Sequence, residues 1–335
     1  MYRDVQDFVL NFQSIFWEAM PFVVLGALIA GVLEELLPQN LIARLMPRSP
    51  LPAVVVGGLL GLIFPMCECG IVVVMRRLLK KGLPLSSCIA YMLAGPIVNV
   101  VVLLSTYVAF GQHGIGIEMV LLRGGLGFLT ACVTGLVVHR MHAKYGSTLL
   151  TDAAAPPKVK ELGLIDDEPA APKGSVFARL GRISETALHD VMDIAVFLLL
   201  GAVLAALTKV FINPDAIQTF SRDMPYLAIP AMMLNAFVLC LCSEADAFVA
   251  ASFTEMSVSS KLAFLVLGPM LDIKLLLMYT RVFRPRLIAT LAACTVTQVL
   301  VYSILVHTVY NPAPGSAAAG AASPAPAANN GKPTP

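Results

Sequence analysis

Charge is what this chain has little of. Asp, Glu, Lys and Arg make up only 13% of its 335 residues, whereas 58% are hydrophobic and the mean hydropathy is +0.81. Soluble domains carry about a quarter charged residues, so composition excludes an ordinary soluble fold. The formal net charge of +2 gives no reason to expect a nucleic-acid partner. No G-x-x-x-x-G-K-[ST] loop occurs, which argues against ATP drive within the chain. No histidine stands near the paired cysteines at zinc-finger spacing. The cysteines number seven, an odd count in apolar surroundings, which argues against an extracellular disulfide framework. The N-terminal stretch MYRDVQDFVLNFQ carries two Asp and no Ala-x-Ala site, so the first apolar segment is expected to stay as a helix.

What is present in their place is length of apolar sequence. Residues 12–33, 86–110, 117–138, 191–208 and 287–306 each approach or exceed the roughly 20 residues that cross a bilayer core. An all-α polytopic membrane protein is the fold class this implies. Its organisation reads as a first membrane repeat (1–142), a cytoplasmic flexible linker (143–182), a second membrane repeat (183–310) and a disordered tail (311–335). The linker composition, TDAAAPPKVKELGLIDDEPAAPKGS, cannot bury a core.

The two repeats share a register. Cys67-Glu68-Cys69 is matched by Cys240-Leu241-Cys242, and Gly95-Pro96 by Gly268-Pro269, each 173 residues later without a gap. Segment 51–64 runs into the first pair and is too short to span. We read it, with the stretch after the cysteines, as a re-entrant hairpin tipped by Pro65-Met66-Cys67-Glu68-Cys69-Gly70. Each repeat then has three spanning helices plus one hairpin, and the repeats are inverted. Arg44, Arg48, Arg76, Arg77, Lys80, Lys81, Arg140, Lys144, Arg281, Arg284 and Arg286 then share one side with the linker. Arg3, Arg123, Lys209, Arg222 and Lys261 fall opposite or near it. The positive-inside rule favours this arrangement over four crossings per half. Five crossings per half predict the same sidedness.

Cys67, Cys69, Cys240 and Cys242 are candidate soft ligands for Cu(I), Zn(II) or trivalent metalloids. Up to four sulfurs meet if the halves come face to face. Pro96 and Pro269 each remove a helix donor near midplane depth, so freed carbonyls, with Asn99 or Asp272, are candidates to line the same site. Ionisable groups at that depth mark ion or proton pathways by default. Glu68, Glu244, Asp246 and Asp272 are therefore candidates for a coupling ion or proton. A packing pair between Asp272 and Lys274 is the structural alternative. The first repeat has Asn99, Ile71 and Val73 where the second has Asp272, Glu244 and Asp246, so the coupling site is expected in the second. Glu18 and Asp193 align when Gly26 is matched to Gly201, and face either the cavity or the membrane interface.

These motifs resemble a bacterial predicted-permease family whose best-known relatives are organoarsenical efflux permeases. The resemblance covers about 12–140 and 187–308. It rests on Pro65–Gly70, Gly82-Leu83-Pro84, Gly95-Pro96-Ile97-Val98-Asn99, the run from Cys240 to Phe248, and Gly268-Pro269-Met270-Leu271-Asp272-Ile273-Lys274. It implies an inner-membrane permease, not an enzyme, that exports a thiophilic species and needs no cofactor. Its partners would be membrane lipid, a small inorganic or organometalloid cargo and a coupling proton. Glu68 and the Ser243-Glu244-Ala245-Asp246 run depart from the arsenical branch. A transmembrane thiol–disulfide electron carrier is the competing function.

Overall fold

The computed structural model describes residues 2–36, 47, 49–64, 66–151, 176–211, 225–253 and 256–310. These form twelve α-helices and one short 3-10 turn. The first half contains α1 (Tyr2–Leu36), α2 (Pro50–Ile63), α3 (Glu68–Lys80), α4 (Leu85–Ala94), α5 (Val100–Gly111) and α6 (Gly116–Tyr145). The second contains α7 (Val176–Phe211), α8 (Pro225–Leu239), α9 (Ala245–Ser252), α10 (Val258–Leu267), α11 (Ile273–Val282) and α12 (Pro285–Tyr310). The order in each half is long, four short, long. Moving the bounds of α4 forward by 173 residues gives those of α10, and moving the start of α5 gives the start of α11.

One sequence expectation is corrected. Residues 86–110, and their counterparts 173 residues on at 259–283, read as unbroken helices loosened at Gly-Pro, but each is two helices. Pro96 has no N–H to bond back to Met92, and its ring crowds the preceding turn. The chain closes α4 with bonds from Ile97 and Val98 N–H to the Ala94 carbonyl. Asn99 then starts α5 by accepting from the Val101 amide at 2.9 Å. In the second half, Met270 and Leu271 bond back to Leu267, and Asp272 starts α11 by accepting from Leu275 N–H at 2.6 Å. Asn and Asp are strong N-caps, so a Gly-Pro with a cap just after it makes a stop and a restart.

The pieces still travel as one path. Ser86 lies beside Gly135, Ile97 beside Gly127, and Tyr107 beside Gly116. α4 and α5 therefore run together against α6 in the opposite direction. Gly57 touches Ser87 and Gly61 touches Gly95, so α2 runs alongside α4 in the same direction. α3 returns to the turn that opens α4, where Gly82 takes a positive φ of 92°.

α3, α4 and α10 are almost wholly buried. Large apolar side chains project outward on the flanking helices, among them Trp17, Leu25, Leu104, Leu121, Leu200 and Leu305. Three helices among the described residues are long and apolar enough to cross a membrane: Val5–Val32, Gly116–Tyr145 and Pro285–Val309. An outward apolar coat on a polar-centred helical body suits lipid as the solvent.

α1 and α7 pack on each other and close one flank of the centre. Residues 143–145 and 176–182, which composition assigns to the linker, belong to α6 and α7. The rest of the linker from residue 152, and the tail, lie outside the described residues. Where the linker leaves α6, Leu150 pairs with Phe283 in an isolated antiparallel bridge. Arg284 adds bonds from its amide to Leu149 and from Nε to Leu150, which tie the end of the first half to the α11–α12 turn.

Candidate functional site

The motifs singled out in the sequence occupy helix starts. Cys67 is the N-cap of α3, and Glu68 and Cys69 lie in its first turn. Glu244 is the N-cap of α9, just after Cys242 and Ser243. Asn99 and Asp272 cap α5 and α11. A helix N-terminus carries partial positive charge and free N–H groups, so carboxylates, carboxamides and thiols belong there.

α3 packs on α11, and α9 packs on α5, so helices from the two halves interleave at these starts. Glu68 Oε1 lies 2.9 Å from Lys274 Nζ. Lys274 Nζ is 3.6 Å from Asp272 Oδ2 and donates to the Cys240 carbonyl at 3.3 Å. Glu68 Oε2 accepts from the Ser243 hydroxyl at 3.4 Å. The Ser243 carbonyl accepts from Arg123 Nη2 at 2.9 Å, and the same nitrogen reaches both Asp246 oxygens at 2.9 and 3.0 Å. Arg123 Nη1 donates to Thr106 Oγ1 at 2.7 Å. The result is one polar chain, Asp272–Lys274–Glu68–Ser243–Arg123–Asp246, crossing the interior between the halves. All six side chains are buried.

Three of the four candidate thiols come together. The Cys67 thiol lies beside those of Cys69 and Cys242, and Cys69 lies within electrostatic reach of Lys274. Cys240 is not one of this group, although its thiol also lies near Asp272 and Lys274 at the start of α11. Its thiol donates to the Phe237 carbonyl at 3.4 Å, and its apolar neighbours are Ile15, Ala202, Ala205 and Ile273. The cysteines are all free thiols. Among the described residues no three His, Cys, Asp or Glu side chains are arranged to hold a metal ion.

Pro96 and Pro269 are buried in the two helix breaks. Asn99 Oδ1 and Asp272 Oδ1 are used in capping, while Asp272 Oδ2 is buried without a hydrogen bond. Asp246 is paired with Arg123, and Glu244 is half-buried. The side chains of Glu18 and Asp193 lie outside the described residues.

Two functional candidates escape a reading of the sequence. There Arg123 counts only as a topology charge, and Lys274 only as a local partner of Asp272. Arg123 interrupts the apolar run MVLLRGGLGFLT, and an arginine inside a spanning segment is itself the signal. Its partner, 123 residues away, carries no sequence mark.

Comparison with known proteins agrees with this architecture. Residues 4–308 match a family described as "Predicted permease". The "UPF0718 protein YcgR" of Bacillus subtilis (strain 168) is 36% identical over 299 residues, covering 88% of this chain and 95% of the relative. The "Putative two-component membrane permease complex subunit" of Streptococcus mutans serotype c is 31% identical over 296 residues, covering 88% and 93%. No solved structure matches the chain. The extent of the family match and these identities show that the chain belongs to this family of predicted permeases, multi-pass membrane proteins with several apolar helices.

Proposed function

We propose that the chain is a secondary permease of the bacterial inner membrane that exports a thiophilic metal or metalloid species. The observation that carries this reading is the meeting of Cys67, Cys69 and Cys242 beside a buried chain of charges shared by the two halves. Thiols select soft species. Discontinuous helices whose N-termini meet at a repeat interface are the way many secondary transporters build a midplane site.

In this reading residues 1–142 and 183–310 are inverted repeats, and α2 with α3 is a re-entrant hairpin. Breaks at that depth are tolerated where protein or a cavity covers them. The linker and the basic run at Arg76, Arg77, Lys80 and Lys81 face the cytoplasm. Cys67, Cys69 and Cys242 hold the cargo, and Pro96, Pro269 and Asn99 shape the cavity. Cys240 contributes its carbonyl. Glu68 and Asp272, with Asp246 and Glu244 behind them, supply the carboxylates for a coupling proton. The Streptococcus mutans relative's name adds a second membrane subunit as a partner class to test by co-purification.

The test is uptake into everted membrane vesicles under a proton gradient, screening trivalent arsenicals, Zn(II) and Cu(I). Uptake of one species is expected in the wild type and its loss in Cys67→Ser/Cys242→Ser. A correctly inserted protein that accumulates none of them would sink the reading.

One observation favours a second reading, a thiol–disulfide carrier: the Cys67 and Cys242 thiols come from different halves and lie side by side. Such a carrier must pass two electrons and two protons to a soluble partner on each dithiol-to-disulfide cycle. A redox titration with mass readout separates the two, because the permease works with both thiols reduced throughout.

A further inference from the structure

Lys274 stands between two carboxylates. It makes a 2.9 Å contact with Glu68 of α3, in the first half, and a 3.6 Å approach to Asp272, the cap of its own helix. Asp272 Oδ2 is buried and accepts no hydrogen bond. A lysine ammonium is a compact charge on a flexible stem, and the vacant oxygen is a short swing away. The repeat does not require this device. At an offset of 173 residues, the counterparts of Lys274 and Glu68 are Val101 and Leu241. Both charged residues are additions on top of the duplicated frame, placed where they touch each other.

The charge balance points the same way. Within the buried chain the carboxyls of Glu68, Asp246 and Asp272 outnumber Arg123 and Lys274 by one, so one of them either holds a proton or gains a cation. Buried charges are stable when paired. A cation in the place of the Lys274 ammonium would keep Glu68 partnered. An oxyanion is repelled by Glu68.

We infer that Lys274 is a tethered cation that occupies the carboxylate arm of the cargo site, and that moving its ammonium onto Asp272 opens a soft-metal site absent from the resting arrangement, with Cys67, Cys69, Cys242 and Glu68 as ligands and the thiol protons released to water as they bind. This rests on the reading that the three thiols face the cargo. The exchange trades a link between α3 and α11 for one inside α11. Cargo binding thereby releases a contact that joins the two halves, the kind of differential contact that a change between two states needs.

The test uses the full chain, purified in detergent, and Ag(I) as the soft probe, with binding read by equilibrium dialysis against a competing thiol. Lys274→Met removes the competitor and tightens Ag(I) binding about tenfold or more, the equivalent of one ordinary charge contact. Lys274→Gln, which keeps polar contacts and tolerates the site better, shifts binding in the same direction. Lys274→Arg stays near wild type. In a Glu68→Gln background the Lys274→Met gain shrinks at least severalfold, because competition at residue 68 has gone. Equal or weaker binding in folded Lys274→Met and Lys274→Gln overturns the inference, as does an undiminished gain in the Glu68→Gln background. A Cys67→Ser/Cys242→Ser control that weakens binding shows that the thiol site survives such a result. If that control binds as the wild type does, the thiol site and the inference fall together.

Discussion

Arg123 Nη2 meets both carboxylate oxygens of Asp246, at 2.9 and 3.0 Å, and neither side chain is open to solvent. The pair fastens α6 of the first half to α9 of the second. The guanidinium also holds the Ser243 carbonyl and Thr106 Oγ1. Its planar fork serves several acceptors that a lysine ammonium cannot span.

Arg123→Ala therefore leaves a buried carboxylate and a buried carbonyl without partners. Removing one member of a buried pair costs about 3–5 kcal/mol. The expected result is a much lower melting temperature in detergent, measured by scanning fluorimetry. Arg123→Lys keeps the charge but loses part of the fork, with an expected cost of about 1–3 kcal/mol. An Arg123→Ala protein that melts with the wild type would remove this pair from the framework of the site.

The long helices press glycines onto the helix starts of the candidate site. A Cβ at Gly26 of α1 would lie 2.8 Å from the Gly70 carbonyl oxygen, one residue past Cys69. A Cβ at Gly201 of α7 would lie 2.9 Å from the Lys274 Cα. Both obstacles are backbone and cannot rotate away. Gly26→Ala and Gly201→Ala are each expected to cost about 1–3 kcal/mol by overpacking and to lower transport in the vesicle assay. Gly125, which has nothing within 4 Å of its Cβ direction, serves as the control. Gly125→Ala is expected to match the wild type in both measurements.

The architecture is legible in the sequence because apolar length and exact repetition of motifs are local properties. Segment 51–64 lies within one residue of the bounds of α2, and segment 287–306 falls inside α12. The helices through Gly95-Pro96 and Gly268-Pro269 are misjudged because a proline kink and a full stop differ only in the residues just after the proline. Asn99 and Asp272 are visible there, but as candidate cargo ligands before they are weighed as caps. The Glu68–Lys274 and Arg123–Asp246 pairs are out of reach, since each joins positions more than a hundred residues apart with no shared motif. The grouping of three thiols is half legible. Register puts the two pairs in corresponding places, but the turn at Cys240, which decides where its side chain points, is not written in a Cys-Leu-Cys string.

That turn gives a discriminating experiment. Cys240 has φ of +49°, and no other non-glycine residue described has a positive φ. Its thiol makes a 3.4 Å contact with a carbonyl three residues back and lies by the Ile273 and Lys274 amides. Cys240→Gly is expected to hold stability within about 1 kcal/mol, since glycine favours this backbone, and to keep Cys-dependent uptake. Cys240→Val puts a β-branched residue at positive φ and is expected to lose about 1–3 kcal/mol. Cys67→Ser and Cys242→Ser are expected to cut uptake at unchanged stability. Equal losses for Cys240→Gly and Cys242→Ser would return Cys240 to the cargo site.

Sidedness can be read without any cargo. Basic residues at the C-terminal ends of α3 (Arg76, Arg77, Lys80) and α6 (Arg140, Lys144) and around the α11–α12 turn (Arg281, Arg284, Arg286) gather at one end. There the Leu150–Phe283 bridge joins the end of the first half to the α11–α12 turn. Short loops rich in Lys and Arg stay on the cytoplasmic side. α12 then carries the chain across to the far side at Tyr310. Reporter tags after Lys81 and within 152–175 are expected to be active only in the cytoplasm, and a tag at the C-terminus only outside. A cytoplasmic C-terminus together with a cytoplasmic linker would give the second half an even number of crossings. The halves could not then be inverted copies of one another, and the midplane site between them would lose its symmetry argument while keeping its ion pairs.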